Sequence, residues 1–279
     1  MIPPIASRFV AGETPAEAID HARALNDDDV QTILNLLGEH YDDREPAAAD
    51  ADAYVDLLAD IGASDVDACV SVKPSQIGLD VGEDVFRELL ERIVEAGDEH
   101  DTFVWVDMED RHTTDATLDA FEDFARKYAG GVGLCVQANL KRTPEDVERL
   151  ADVPGKVRLV KGAYDEPKAV SYKQKAKVDE QYRELLAYMF EHFEDGVAVG
   201  SHDPAMIEYA RELHDEHGTP YEVQMLMGVR EDAQRDLASD GVEVWQYAPY
   251  GDKWLSYFYR RVRERKENVL FAARAVLGV

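Results

Sequence analysis

The chain has little of what usually assigns a protein quickly. Only two cysteines, Cys69 and Cys135, occur in its 279 residues. Each lies inside an apolar, strand-like run, so both read as small core residues rather than a disulfide pair, which fits a reducing cytosol. No apolar run reaches the roughly 18 residues that a membrane-spanning helix needs. The nearest approach, residues 268–279, is shorter and is broken by Arg274. Pro3 and Pro4 interrupt a start with no long apolar stretch, so no secretory leader is expected. Basic residues are scarce: 30 Lys and Arg against 58 Asp and Glu leave a formal charge of -28 and a pI near 4.5. A surface that negative repels phosphate backbones and anionic lipid headgroups, which argues against nucleic-acid binding through a basic patch. The acids are dispersed along a chain that is 45% hydrophobic. Dispersed acid on a folding composition points to adaptation to high salt, where screening relieves self-repulsion.

Common catalytic signatures are absent too. Gly130-Gly131-Val132-Gly133 lacks the third glycine of a dinucleotide fingerprint and precedes a strand-like run, where that fingerprint would follow one. There is no P-loop and no zincin motif. His214 and His217 read as a solvated helix end over residues 212–218 rather than as metal ligands. Ser201-His202 alone does not make a catalytic triad.

What the chain does have is a recurring alternation. Short apolar, β-branched runs at residues 31–37, 68–73, 102–107, 133–137, 157–161, 197–200, 222–226 and 242–247 are each followed by a polar or helical stretch. Several are continuous rather than alternating, as parallel strands covered on both faces are. Helix starts are expected at Thr143-Pro144-Glu145-Asp146, with Thr143 as N-cap, at Asp203-Pro204, and within the Ala/Asp-rich residues 46–53. Eight strand–helix units without a Pro/Gly/Ser-rich linker predict one distorted (β/α)8 TIM barrel over residues 1–279. The alternative arrangement is a doubly wound open sheet.

A barrel places its chemistry at the carboxyl ends of its strands. Polar residues stand at those ends here: Glu39 and His40, Lys73, Asp107 to Asp110, Gln137 and Asn139, Arg158, Lys161 and Tyr164, Ser201 to Asp203, Gln224, and Tyr247 with Tyr250. Beyond them, Tyr257, Arg260, Arg261 and Glu264 share one face of an expected helix, with Leu255, Phe258 and Val262 on a core-facing side. Two arginine forks side by side suit one carboxylate. The other reading is a solvated helix with an Arg260–Glu264 pair one turn apart.

Four ordered stretches carry a resemblance. Leu36-Leu-Gly-Glu39, Val136-Gln-Ala-Asn-Leu-Lys-Arg142, Val157-Arg-Leu-Val-Lys-Gly-Ala-Tyr164 and Tyr257-x-x-Arg260-Arg261-x-x-Glu264 together resemble proline dehydrogenase, in its short monofunctional microbial form. The likeness runs from Arg8 to Asn268. It implies a distorted (β/α)8 barrel, with the last helix over its mouth, that oxidises L-proline to Δ1-pyrroline-5-carboxylate with noncovalent FAD. Helices that often precede Arg8 in that family are expected to be missing.

Carried over by motif, the resemblance implies that Arg260, Arg261 and Lys73 hold the proline carboxylate, while Tyr247, Tyr257 and Leu226 enclose the ring. It makes Asp107 a hydrogen-bonding support and Glu39 a gate paired with Arg260. It assigns Gln137, Arg158, Val160, Lys161, Gly162, Ala163, Ser201, His202, Asp203, Gln224 and Glu264 to the cofactor. It further implies an electron acceptor such as a membrane quinone, a cytoplasmic protein with at most peripheral membrane contact, and a possible pyrroline-5-carboxylate dehydrogenase partner. The acceptor of the amine proton is left between water and a tyrosine. Two other functions stay open from the residues: an aldolase forming a Schiff base on Lys161, and a proline- or flavin-binding sensor without turnover.

Overall fold

The computed structural model describes residues 6–255. After a short 3-10 turn, Ala6–Arg8, and helix α1 (Pro15–Asn26), strands and helices alternate. They run β1 (Val30–Leu36), α2 (Arg44–Gly62), β2 (Ala68–Val72), α3 (Glu83–Glu99), β3 (Val104–Val106), α4 (Thr114–Lys127), β4 (Val132–Gln137) and α5 (Thr143–Leu150). Then come β5 (Lys156–Val160), α6 (Lys175–His192), β6 (Val197–Gly200), α7 (Pro204–His217), β7 (Tyr221–Leu226), α8 (Glu231–Ser239) and β8 (Glu243–Tyr250). Each strand pairs in parallel with its neighbours in chain order, and β8 returns to β1, closing the barrel. The open-sheet alternative is therefore excluded.

The expected strands are all present, with shifted ends. β3 is confined to three residues where six were expected, although the Asp107 N–H still reaches the Val72 carbonyl on β2 at 2.9 Å. β8 continues three residues past Tyr247, since β1 pairs with it along its length from Val30↔Val244 to Leu36↔Tyr250. Asp203 does cap α7, its carboxylate accepting from the Ala205 N–H. Thr143 does not cap α5. It is the first helical residue, and its hydroxyl donates instead to the Gln137 carbonyl at 2.5 Å, tying the helix start to the end of β4. The Ala/Asp-rich segment lies within the first turns of α2, and α7 ends at a left-handed Gly218 as a surface helix should. Leu255, expected to face the core, is 57% exposed.

Two hydrophobic layers result. Outside the strands, residues such as Val70, Val104 and Leu134 meet the helical stripes of Tyr54, Leu57, Phe86, Leu89 and Phe121, all fully buried. Truncating one such leucine to alanine costs about 2–5 kcal/mol. Inside, a smaller cluster of Ile33, Cys69, Trp105 and Ala198 fills the barrel. Both cysteines are buried and unbridged. Trp105 fits only because its neighbour on β4 is Gly133, where a Cβ would lie 2.6 Å from the indole.

Strand alternation decides which side chains share this interior. On β5 it holds Lys156 and Arg158, on β7 Glu222 and Gln224, on β3 Trp105, on β2 Cys69 and Ser71. Large and small residues complement one another, as in layered barrel cores. Here, however, several of the interior residues are charged.

Candidate active site

Asp107 is the hub of the mouth. It follows β3, and its two carboxylate oxygens collect four donors from three other strands, β2, β5 and β8. One accepts from the Ser71 hydroxyl at 2.8 Å and from the Arg158 guanidinium. The other accepts from the Tyr247 phenol at 2.7 Å and from the Lys73 ammonium at 3.5 Å. Burial by itself would raise this carboxyl. The Lys73 and Arg158 cations, with the two hydroxyl donors, outweigh burial and hold it below the usual range.

Lys73, one residue past β2, donates also to Asn35 Oδ1 at 2.9 Å and lies 3.3 Å from the Tyr247 oxygen. Its ammonium is thus oriented from three sides. Arg158 is only 4% exposed. Its guanidinium lies 4.9 Å from the centroid of Trp105 and 5.6 Å from that of Tyr247, and donates to Gln224 Oε1 at 2.9 Å. Tyr247 has its pKa driven well up by burial and by the neighbouring Asp107 charge, so it stays a phenol and a donor. It is accordingly not a base for an amine proton.

A second group sits after β4, β5 and β6. Gln137 donates from Nε2 to the Glu109 carbonyl at 2.7 Å. Lys161 donates to Asp179 at 2.6 Å and to Asp203 at 2.7 Å. Gly162 has φ +103, and a Cβ there would fall 2.1 Å from Asn139 Oδ1, so only glycine fits. That Asn139 oxygen is buried and accepts no hydrogen bond within the protein. Ser201 is buried and its hydroxyl accepts from the Asp203 N–H, while His202 Nε2 accepts from the Leu226 N–H. Val160 ends β5 against Gly200, Ala163 is exposed, and Leu226 is paired with Tyr247 across β7 and β8.

The mouth therefore unites Lys73, Asp107, Arg158, Gln224 and Tyr247 in one network, with Gln137, Lys161, Gly162, Ser201 and Asp203 around its β4–β6 side. Glu39 is half-buried on the loop after β1. Tyr257, Arg260, Arg261 and Glu264 lie outside the described residues. Residue-level reading passed over Asn35, Ser71, Trp105 and Glu222. Ser71, Trp105 and Glu222 each precede a recognised residue by two positions, and Asn35 lies on β1 two residues after the inward Ile33, so the period-two inward alternation was the available signal.

Loops around the mouth are tied together by buried carboxylates. Glu109, 2% exposed, accepts from the Ser75 N–H at 2.6 Å and its hydroxyl at 2.8 Å, joining the loops after β3 and β2. Glu166 accepts from both the backbone and the guanidinium of Arg111, joining the loops after β5 and β3. Among the described residues no group of three or more His, Cys, Asp or Glu is placed to hold a metal ion, and no helix is long and apolar enough to cross a membrane. His214 pairs with the Thr219 carbonyl at the end of α7.

A closed parallel barrel with its ionised side chains converging at the carboxyl ends of the strands defines a barrel enzyme. Known proteins agree on which kind. The sequence model of the family described as Proline dehydrogenase matches residues 18–274. Proline dehydrogenase of Deinococcus radiodurans is 36% identical over 282 residues, covering 98% of this chain and 90% of that protein. Proline dehydrogenase 2 of Bacillus subtilis strain 168 is 33% identical over 276 residues, covering 97% and 90%. In fold, the chain superposes on proline utilization A from Bdellovibrio bacteriovorus, inactivated by N-propargylglycine, with a TM-score of 0.85 at 23% identity. That match covers 94% of this chain and 33% of the longer one.

The chain belongs to the proline dehydrogenase family, oxidoreductases that act on the CH–NH group of proline. It spans nine-tenths of the length of each of these two proline dehydrogenases. The Schiff-base alternative is not favoured: the family's reaction is the oxidation of proline, and the Lys161 Nζ is occupied by ion pairs with Asp179 and Asp203. A silent sensor is not favoured either.

Proposed function

We propose that this barrel oxidises L-proline to Δ1-pyrroline-5-carboxylate with FAD, the first step in breaking proline down to glutamate. The observation that carries the proposal is the Lys73–Asp107–Arg158–Tyr247 network at the mouth of a barrel of this family. FAD, when bound, supplies the two-electron acceptor for the hydride on the ring carbon next to nitrogen. The residues on the β4–β6 side fit such a group: a glycine with no room for a side chain, a buried amide oxygen beside it, and cationic Arg158 and Lys161. Gln137, Arg158, Val160, Lys161, Gly162, Ala163, Ser201, His202, Asp203 and Gln224 form the shell assigned to it, completed by Glu264.

The rest follows from how the side chains are held. Lys73 presents an ammonium fixed by Asn35, Asp107 and Tyr247, and with Arg260 and Arg261 it receives the carboxylate of proline. Asp107 stays ionised and so keeps Lys73, Arg158 and the Tyr247 phenol in place without taking up the amine proton itself. Leu226 and Tyr247, paired on adjacent strands, wall the ring with Tyr257 and exclude water. Glu39 closes over the substrate with Arg260. Arg158 would offer a bound flavin a fixed positive charge.

Electrons leave to a quinone at the inner face of the membrane, touched only peripherally by a cytoplasmic protein, and the product passes to a pyrroline-5-carboxylate dehydrogenase. Support for these partners is the family resemblance, and for a salt-adapted surface it is the charge of -28. Anaerobic addition of L-proline to the yellow protein is expected to bleach its flavin absorption, and a soluble quinone to restore it. Retained colour with proline, or borohydride trapping of a substrate on Lys161, would overturn the proposal. Unfolding in dilute buffer with recovery in molar KCl tests the salt dependence.

A further inference from the structure

The floor of the barrel holds a buried carboxylate that the reaction as described above does not use. Glu222 lies on β7 two residues before Gln224, so both project into the barrel, and it is 3% exposed. A barrel interior at this depth is ordinarily filled by Val, Ile and Leu, and a carboxylate there is strongly desolvated. One of its oxygens pairs with the Lys156 ammonium at the foot of β5. The other accepts from the Gln224 amide nitrogen. The Gln224 amide oxygen then accepts from Arg158 Nη1 at 2.9 Å. Arg158 completes the path on Asp107 and, through it, on Lys73 and Tyr247. Charges along this path alternate in sign from the foot of the barrel to its mouth.

A carboxamide is a directional link, with one end that only donates and one that only accepts. An ionised carboxylate below it can only accept, so the amide nitrogen must point down. The oxygen is thereby forced up, towards a guanidinium that can only donate. If the carboxylate is removed, the lower anchor of the amide is lost, and only the Arg158 donor is left to keep it from turning over. In a turned amide the N–H groups would face those of Arg158, two donors without an acceptor between them.

We propose that Glu222 is a positioning residue for Arg158, acting through the Gln224 carboxamide to set how the guanidinium sits at the mouth of the barrel. The proposal rests on the reading that Arg158 lies at the flavin. Lys156 completes the device by neutralising Glu222 from the solvent side, where it is itself held over the Phe103 and Trp245 rings.

The test compares Glu222→Leu, Gln224→Leu, the double variant and Glu222→Gln as full-length holoenzymes. The bound flavin's midpoint potential should shift to more negative values in either Leu variant. kcat for proline should fall roughly tenfold, with KM changed far less. The double variant should be no worse than the single ones, because one path is broken in each. Glu222→Gln, which can still offer an oxygen to Gln224, should recover most of the potential. An unchanged potential in Glu222→Leu, or additive shifts in the double variant, would overturn the inference.

A readout without flavin separates this inference from the function it rests on. Arg158 stacks on Trp105, so in a chain carrying Trp245→Phe and Trp254→Phe the emission of Trp105 reports the guanidinium directly. Glu222→Gln should leave that emission near the parent value and Gln224→Leu should move it. If proline fails to bleach the protein but this pattern holds, the relay stands and the assigned reaction fails. Identical emission in parent and Gln224→Leu overturns the relay whatever the reaction proves to be.

Discussion

The guanidinium of Arg158 on β5 and the carboxylate of Asp107 after β3 are paired across the barrel, 51 residues apart in the chain. Neither is an isolated surface charge: their side chains are 5% and 15% exposed. Because Lys73 leans on the same carboxylate, one anion holds two cations that would otherwise repel each other. In the proposed function Lys73 serves the substrate and Arg158 the cofactor, so the rigidity of this pair bears on both.

Asp107→Asn should therefore be costly. Leaving two buried cations without their anion is expected to destabilise the fold by about 3–5 kcal/mol at neutral pH. The carboxyl's folded pKa lies below its unfolded value, so the stabilisation is present above the unfolded value of about 3.9 and is lost as pH falls through the folded one. Urea unfolding across this range should show the gap between wild type and variant closing in acid. Equal stability at neutral pH would contradict the role given to Asp107.

Glu109 should behave in the opposite sense. Burial raises its carboxyl, and the Ser75 N–H and hydroxyl offset this only in part. A raised carboxyl contributes stability below its unfolded pKa of about 4.3, and that contribution is lost as pH rises through the folded value. Glu109→Gln keeps an oxygen for the Ser75 N–H and offers its NH2 to the Ser75 hydroxyl. Its Tm relative to wild type should therefore improve from acid to neutral pH, and a constant difference would show that Glu109 does not titrate there.

Gly162→Ala tests the tight contact after β5. With φ +103 the new side chain is strained by about 1–3 kcal/mol, and it has nowhere to go but into Asn139. The β4 and β5 loops should be pushed apart, with FAD released on gel filtration while the barrel stays folded by circular dichroism. Full flavin retention would remove Gly162 from the cofactor shell.

Arg260→Met and Arg261→Met address the carboxylate clamp read from the sequence. Each is expected to lower kcat/KM for proline by at least about tenfold, with FAD retained, since a charge-assisted bond to the substrate is lost. Near-wild-type kinetics in both would sink the clamp and leave Lys73 as the carboxylate's partner.

Much of this was legible in the chain itself. Apolar runs separated by helical stretches determined parallel strands covered by helices, and eight such units favoured a barrel, but only the pairing of β8 with β1 decided between it and an open sheet. The motif around Arg158 and Lys161, with Glu39 and Gln137, determined the family. A strand's period of two also determined which residues face inward. What pattern alone did not decide was the pairing of those inward residues, since hydrogen-bond partners such as Asp107, Arg158 and Gln224 come from different strands and meet only when the barrel closes. Thr143 shows the same limit locally: its sequence offers an N-cap, but the nearby end of β4 presents a carbonyl that takes the hydroxyl instead. Likewise Glu222 reads as one acid among 58 in the sequence. Only the closed barrel removes it from water and sets it beneath Gln224, and burial at that depth is what turns an ordinary carboxylate into a structural constraint on the active site.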